Sequence, residues 1–332
     1  SNWSSGIVFD LDLLGTPQTV SGTAELTISE SIENLVGSAF DDEIYAKLLS
    51  VPRTIDGGNH VTGDELVVDA SLADIDVSAT NITATGFGTI DDPNIETVRI
   101  TNTDSVATSA TSPNNGTPDV FEVVRQGTDV EVTIDGAMAL IVQYSSSLHL
   151  VINGSSDDDT LIVDLNGDTP LAGQVDFNAS GQTLGDEVQV IGDGSSSVVY
   201  TTDATSSNVG TIEFGSDLIV VAEVEGIVVD QLSSLTVAID STQDDVSIDS
   251  PGATLNRIST SSGVAIIPVT FSGVTDVVLD NGANGGGKVG GRPGELFGTA
   301  VGCLILAIPY RYLPILQEGQ IESIRNRFAT EG

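Results

Sequence analysis

Short runs in which apolar and polar residues alternate follow one another along most of the chain. Each run has four to seven residues and is rich in β-branched side chains, as in residues 66–70, 160–165 and 235–239. Glycine, aspartate, asparagine or serine separates the runs, which begin about every 10 to 14 residues, a spacing typical of sandwiches, barrels and solenoids. The apolar period is closer to two than to 3.6, so the pattern predicts strands, not helices, from Gly6 to about Asn284.

One segment predicts an antiparallel meander. Residues 120–125 and 129–134 both alternate, and they flank the short glycine-containing turn at 126–128. Asp135-Gly136 then turns the chain into a third run at 137–143. A solenoid would carry such a meander as an insertion, or the meander would form a small separate β unit.

Composition narrows the fold class. Aromatic residues make up only 5% of the 332 residues and hydrophobic residues 39%, so few side chains are bulky enough to fill a wide core. The sequence therefore favours a thin column of Val, Ile and Leu, as in an all-β, right-handed parallel β-helix or β-solenoid with an antiparallel hairpin insertion. Tandem β-sandwich domains are the alternative, since both folds give these strand spacings.

Four regions are predicted from the changes in composition. Residues 1–100 and 119–285 are the two β-solenoid segments, and the Thr-, Ser-, Asn- and Pro-rich residues 101–118 are the linker between them. Residues 286–332 hold five of the ten basic residues, and their apolar run is too short to span ~30 Å of hydrocarbon, so no transmembrane span is expected. This atypical tail is predicted to be a cap, an interaction segment or a non-native end.

Charge and side-chain chemistry exclude several functions. With 48 acidic and 10 basic residues the net charge is −38, which repels a phosphate backbone and excludes nucleic-acid binding by counterion release. Only His60 and His149 are available for imidazole chemistry, so a non-enzymatic protein is predicted. The single cysteine, Cys303, together with the acidity, favours an extracellular or cell-surface protein. Closely spaced carboxylates make cations natural partners.

Residues 6–69 resemble the lead-in to RTX (haemolysin-type) calcium-binding repeats. The phrases that carry the resemblance are VFDLDL at 8–13, SIENLVGSAFDDEI at 31–44 and TIDGG at 54–58. Residues 119–285 resemble the β-rich repeats of very large secreted bacterial proteins, in phrases such as INGSSDDDTL at 152–161. The resemblance implies an extracellular β-solenoid and calcium, but no reaction.

The RTX-like turns supply the candidate metal sites. In RTX repeats, tight glycine turns let backbone carbonyls and Asp carboxylates of successive turns surround Ca²⁺. No two intact nonapeptides stand in tandem here, so isolated ions are expected rather than a full array, unless these aspartates only shape turns. His60, in a turn beside acidic residues, is either a metal ligand or a solvated turn residue. The candidate calcium ligands are Asp41, Asp42, Asp56, Asp64, Asp157, Asp158 and Asp159.

These patterns predict a non-enzymatic structural or adhesive segment of a secreted bacterial surface or matrix protein that self-assembles and is stabilised by cations. Its expected partners are further copies of the chain, other matrix or surface components, or polysaccharide. Two alternatives stay open. One is a calcium-binding RTX-type folding module, and the other is a polysaccharide-binding or polysaccharide-cleaving β-helix, in which paired acids would act on the sugar.

Overall fold

The fold is all-β in a computed structural model that describes residues 4–109, 116–168, 171–180, 185–203, 206–239, 245–252, 254–260, 266–280 and 288–290. Nearly all strands of these residues belong to two long sheets, sheet A with 14 strands and sheet B with 13. No helix in the described part of the chain is long and apolar enough to cross a membrane. The all-β, solenoid-like part of the predicted fold is thus confirmed.

Sheet A consists of β1 (Val8–Asp10), β5 (Glu43–Lys47), β7 (Glu65–Asp69), β11 (Thr97–Thr101), β13 (Val120–Gln126), β14 (Asp129–Ile134), β15 (Ala137–Gln143), β17 (Thr160–Asp164), β19 (Glu187–Ile191), β23 (Gly226–Asp230), β25 (Asp245–Asp249), β26 (Asn256–Thr260), β27 (Val269–Ser272) and β29 (Lys288–Gly290). Sheet B consists of β4 (Asn34–Val36), β6 (Arg53–Asp56), β8 (Ile75–Val77), β9 (Asn81–Ala84), β10 (Ile90–Asp91), β12 (Ser105–Ser109), β16 (His149–Asn153), β18 (Gln174–Asn178), β20 (Ser197–Thr202), β21 (Val209–Phe214), β22 (Asp217–Ala222), β24 (Ser234–Ala238) and β28 (Asp276–Asp280). A separate hairpin joins β2 (Gln18–Ser21) to β3 (Ala24–Leu26).

The chain passes back and forth between the two sheets, so that most neighbouring strands come from successive coils and pair in parallel. In sheet A, Ile44 of β5 lies opposite Leu66 of β7, which in turn lies opposite Val98 of β11. All three side chains point inward and are buried, while their neighbours along each strand are more exposed. Such rows join into one hydrophobic cluster that extends from Phe9 to Leu279. The predicted thin column of Val, Ile and Leu is the core.

Antiparallel meanders interrupt the parallel stacking at four places in the described residues, and they alternate between the sheets: β8–β10 in B, β13–β15 in A, β20–β22 in B and β25–β27 in A. In each meander the first strand pairs with a strand of the next coil, and the third strand pairs with a strand of the preceding coil. The middle strand lies between them. Thus β15 pairs with the earlier β11, and β13 pairs with the later β17. The meander predicted over residues 120–143 is confirmed, and the other three were not predicted. Of these three, only β20–β22 carries a two-residue hairpin signal, Gly215-Ser216 between β21 and β22.

The predicted linker contains a strand. Ser105–Ser109 form β12, which pairs in parallel with β8 and β16 within sheet B. Its buried residue Val106 belongs to the same hydrophobic cluster as Phe121, which follows the linker. Residues 110–115 lie outside the described residues, as does the tail at 286–332 apart from β29. The division into domains and the nature of the tail therefore stay predictions.

Candidate metal centre

A carboxylate stands immediately before several strands of sheet A, at the corner where the chain enters the strand. Asp42, Asp64 and Glu96 precede β5, β7 and β11, and each accepts a main-chain N–H from the equivalent corner one coil earlier. The N–H of Ile7 donates to Asp42 Oδ1 (2.7 Å), that of Asp42 to Asp64 Oδ1 (2.7 Å), and that of Asp64 to Glu96 Oε2 (2.8 Å). We refer to this set as the first carboxylate ladder. It pairs main-chain donors that would otherwise be buried without a partner.

The same arrangement recurs after the β13–β15 meander. The N–H of Asp119 donates to Asp159 Oδ1 (2.9 Å), that of Asp159 to Asp186 Oδ1 (2.7 Å), and that of Asp186 to Glu225 Oε2 (3.1 Å). This second carboxylate ladder repeats the order Asp, Asp, Glu of the first. The two ladders are therefore a repeated motif of sheet A, in which carboxylate side chains join successive coils through hydrogen bonds.

A serine four residues before the aspartate binds its second oxygen. Ser38 donates its N–H to Asp42 Oδ2 (2.5 Å) and its hydroxyl to Oδ1 (2.7 Å), and the N–H of Ser155 likewise donates to Asp159 Oδ2. A glycine precedes each serine, Gly37 and Gly154, and leaves the space that the carboxylate fills. Gly-Ser-x-x-x-Asp is thus one structural unit, in which the glycine leaves space, the serine donates the hydrogen bond and the aspartate accepts it.

Replacement of Gly37 by alanine is expected to lower the free energy of unfolding by about 2 to 3 kcal/mol. The new Cβ would lie 2.2 Å from the carbonyl oxygen of Gly57 and 2.3 Å from Asp42 Oδ2, both fixed in the core. The matched control is Gly226→Ala, where the nearest atom would be 3.7 Å away. Urea unfolding followed by circular dichroism compares the two, and equal losses would contradict the packing argument.

The first ladder departs from this unit at Asp64, where the residue four positions earlier is His60 instead of serine. Asp64 Oδ2 is buried and has no hydrogen-bond partner among the described residues. His60 Nδ1 lies 3.7 Å from this oxygen and 3.2 Å from Glu96 Oε2. The side chain of Asp64 is 0% exposed, whereas those of His60 and Glu96 are 33% and 36% exposed. The three side chains, His60, Asp64 and Glu96, form a group that solvent can reach and that could hold a metal ion.

Asp41 shapes the loop that carries His60. Its Oδ1 accepts the N–H groups of Val61 (2.6 Å) and Thr62 (2.7 Å), and its Oδ2 accepts the Thr62 hydroxyl (2.6 Å). These hydrogen bonds, that from the Thr62 side chain first, hold the pKa of Asp41 well below its usual range. An ionised carboxylate on one coil thus fixes the loop of the next.

Burial raises the pKa of three ladder residues, Asp64, Asp119 and Glu225. The pKa of Asp64 rises to about 6, mainly by desolvation and further by the charges of Asp42 and Glu96, although the N–H of Asp42 and the nearby His60 act in the opposite direction. The pKa of Asp119 also rises to about 6, through desolvation and the charge of Asp159. Each carboxylate is therefore destabilised in its charged form, as expected where acids stack in a low-dielectric corner.

The structure places six of the seven predicted calcium ligands against main-chain donors. Asp41, Asp42, Asp64 and Asp159 have been described; Asp56 accepts the N–H of Gly58 (2.9 Å), and Asp157 accepts that of Gly116 (2.9 Å). Asp158 is exposed and lies beside Gly185. Calcium binding at these residues stays a prediction.

Sequence reasoning did not identify four of the acids in the two ladders. The sequence signal that could have found the ladders is the repeat of Gly-Ser-x-x-x-Asp at 37–42 and 154–159. No such signal marks Glu96, which comes 32 residues after Asp64 and meets it only because the coils stack. The four missed residues are Glu96, Asp119, Asp186 and Glu225.

Comparison of the chain with known proteins adds no relative to this description. No protein-family model, no curated protein and no solved structure matches the chain. What the chain does is therefore inferred from the two carboxylate ladders, the group at His60 and the stacked sheets.

Proposed function

We propose that the chain is a non-enzymatic structural segment of a secreted bacterial surface or matrix protein, a β-solenoid scaffold that associates with further copies of itself. Its coils are proposed to wind in the right-handed sense, since parallel strands of one sheet are joined by right-handed crossovers in about 98% of cases. The cations attracted by its charge of −38 would screen the acidic surface and strengthen the scaffold.

The observation that carries this proposal is the use of the acidic side chains. A catalytic or transport site needs carboxylates that are free to meet a substrate or ion, but Asp42 and Asp159 are buried and hydrogen-bonded to main-chain donors of adjacent coils. The hydrogen bonds of these two carboxylates hold one coil to the next. In a solenoid each coil contacts only its neighbours, so such links between coils set the stability of the whole.

The first coils offer a surface for association between copies. Val8 on β1 and Val36 on β4 lie on the end strands of sheets A and B, and they are 49% and 69% exposed. Leu14 and Leu26, in the adjoining turn and hairpin, are also largely exposed. Apolar side chains beside strand edges favour the addition of another β surface, here proposed to be a second copy of the chain.

Sedimentation and electron microscopy test the scaffold proposal. Fourteen strands at 4.7–4.9 Å spacing make sheet A ~60 Å long, so negative-stain images should show short rods that join end to end as concentration rises. The variant Val36→Lys should keep the circular dichroism of the parent chain and lose the larger species, whereas Val61→Lys, also at an exposed valine but in a loop, should not. A chain that stays monomeric at every concentration would contradict self-association, and cleavage of a polysaccharide would contradict the non-enzymatic assignment.

A further inference from the structure

We propose that His60, Asp64 and Glu96 bind one divalent transition-metal ion of the Zn²⁺ class. The ion would join the loop between β6 and β7 to the corner before β11, and so clamp two successive coils together. This site shares Asp64 with the calcium-type turns predicted from the sequence, but it differs from them because it contains an imidazole.

The unpartnered oxygen of Asp64 is the first observation. Asp42 and Asp159 occupy equivalent corners, and in both cases a serine four residues earlier donates its main-chain N–H to the second carboxylate oxygen, Oδ2. At Asp64 the serine is replaced by His60, and Oδ2 is left buried without a hydrogen-bond partner in the described part of the chain. A buried carboxylate oxygen without a partner is costly. A cation bound between Asp64 and His60 would remove that cost.

The distances and ligand types match a small, imidazole-binding metal ion. Zinc bonds to nitrogen and oxygen at about 2.0–2.2 Å, so two ligands of a tetrahedral zinc site lie ~3.3 Å apart. His60 Nδ1 is 3.2 Å from Glu96 Oε2 and 3.7 Å from Asp64 Oδ2, and the three ligand atoms lie within 4.8 Å of one another. Calcium instead takes six to eight oxygen ligands. One nitrogen and two carboxylates therefore favour zinc and its neighbours in the first transition row.

Hydrogen bonds hold the two carboxylate ligands and the loop that carries His60 in place without an ion. Asp64 Oδ1 accepts the N–H of Asp42, and Glu96 Oε2 accepts the N–H of Asp64, so both carboxylates are oriented by ladder hydrogen bonds. Asp41 fixes the loop just after His60. Gly57 leaves room at Asp64, because a Cβ there would lie 2.4 Å from Oδ2. A site built in this way loses little conformational freedom on binding.

Isothermal titration calorimetry of the chelator-treated full chain, with ZnCl₂ in ~0.15 M NaCl to screen weak surface binding, tests the proposal. We expect one zinc ion per chain in the isotherm, and a melting temperature that rises once zinc exceeds one equivalent and continues to rise with the logarithm of the free zinc concentration. Titration with CoCl₂ should give the visible absorption of four- or five-coordinate cobalt bound to nitrogen and oxygen. CaCl₂ at the same concentration should not reproduce the part of the isotherm and of the rise in melting temperature that needs His60, since calcium prefers oxygen ligands.

Matched variants assign the effect to these residues. His60→Ala should weaken zinc binding by more than the ~10- to 100-fold that loss of an outer-shell partner typically costs, and should abolish the cobalt spectrum. Glu225→Gln alters the equivalent glutamate of the second ladder, in which the sequence has Gln182 and not histidine four residues before Asp186, and His149→Ala removes the other histidine. Both variants should bind zinc like the parent chain. One-to-one zinc binding that survives His60→Ala, tight calcium binding that His60→Ala removes, or no saturable zinc binding would each overturn the site.

Discussion

Replacement of Asp159 by alanine is expected to lower the free energy of unfolding by about 3 kcal/mol or more. The side chain is 0% exposed and accepts the N–H groups of Asp119 and Ser155, together with the Ser155 hydroxyl. Its removal would leave two buried main-chain donors without acceptors, and each such group costs about 1–3 kcal/mol. The expected loss is large although the substitution also removes one negative charge from a chain at −38.

Urea denaturation followed by far-ultraviolet circular dichroism measures this loss. The control is Asp74→Ala, which removes the same charge from an exposed position and should change the stability by no more than about 0.5 kcal/mol. Asp42→Ala should behave like Asp159→Ala, because Asp42 has the equivalent hydrogen bonds in the first ladder. If the buried and exposed variants were equally stable, the ladders would not be the links between coils that the structure indicates.

The stability of the chain should rise, not fall, as the pH is lowered from about 8 to about 5. Asp92, immediately after β10, is 3% exposed, and its Oδ1 has no hydrogen-bond partner among the described residues. Desolvation raises the pKa of Asp92 to about 7 from an ordinary value of 3.8. Between these two values the folded chain binds more protons than the unfolded chain, so the free energy of unfolding decreases with increasing pH. Asp119, with a pKa of about 6, contributes in the same direction.

Asp92→Asn isolates the effect. The neutral amide has the shape of the carboxyl group but no charge to desolvate, so at pH 8 this variant should be more stable than the parent by about 2 kcal/mol. Its advantage should vanish near pH 4, where the carboxyl group of the parent is protonated in the folded state. Melting curves recorded at unit steps of pH measure both quantities. A parent chain whose melting temperature falls steadily from pH 8 to pH 5 would show that Asp92 is not held as the structure has it.

Other aspartates stabilise the fold only when they are ionised, so they limit how far the free energy of unfolding rises as the pH is lowered. Hydrogen bonds from Ser195, that from its hydroxyl first, lower the pKa of Asp193 to about 2, and the side chain of Asn102 lowers that of Asp69. These carboxylates support the fold when they are ionised, so their contribution is present above pH 4 and is lost as the pH falls towards their folded-state values. Maximum stability is therefore expected near pH 4 to 6.

Strand content could be predicted from the sequence because alternation along a strand is a local property. Residues 160–165, for example, alternate in the sequence, and Thr160–Asp164 among them form β17 with alternating burial. Which sheet a strand joins is not local, because it depends on how far the chain runs between corners. The meander at 120–143 was predictable since its turns are short, whereas β25–β27 are separated by longer connections.

The candidate site was predictable only in part, for a similar reason. His60 and Asp64 lie in one turn and were recognised together, but Glu96 enters from the next coil and has no marker of its own. The acidic turns were interpreted through their resemblance to calcium repeats. The structure gives most of these acids main-chain N–H partners, because a corner that closes on a glycine turn leaves donors that a short carboxylate can reach. These partners do not test whether the acids also bind calcium.

The alternating meanders determine how the molecule could be shortened or extended. Each meander adds two strands to one sheet, and the following meander adds two to the other. Deleting a single meander would leave one sheet overhanging the other by two strands, and would expose apolar inward-facing rows to water. A variant of different length must therefore gain or lose meanders in pairs, one from each sheet. Each meander also pairs with a strand of the preceding coil on one side and a strand of the following coil on the other. The coils on the two sides of a meander are therefore expected to unfold together, not one at a time.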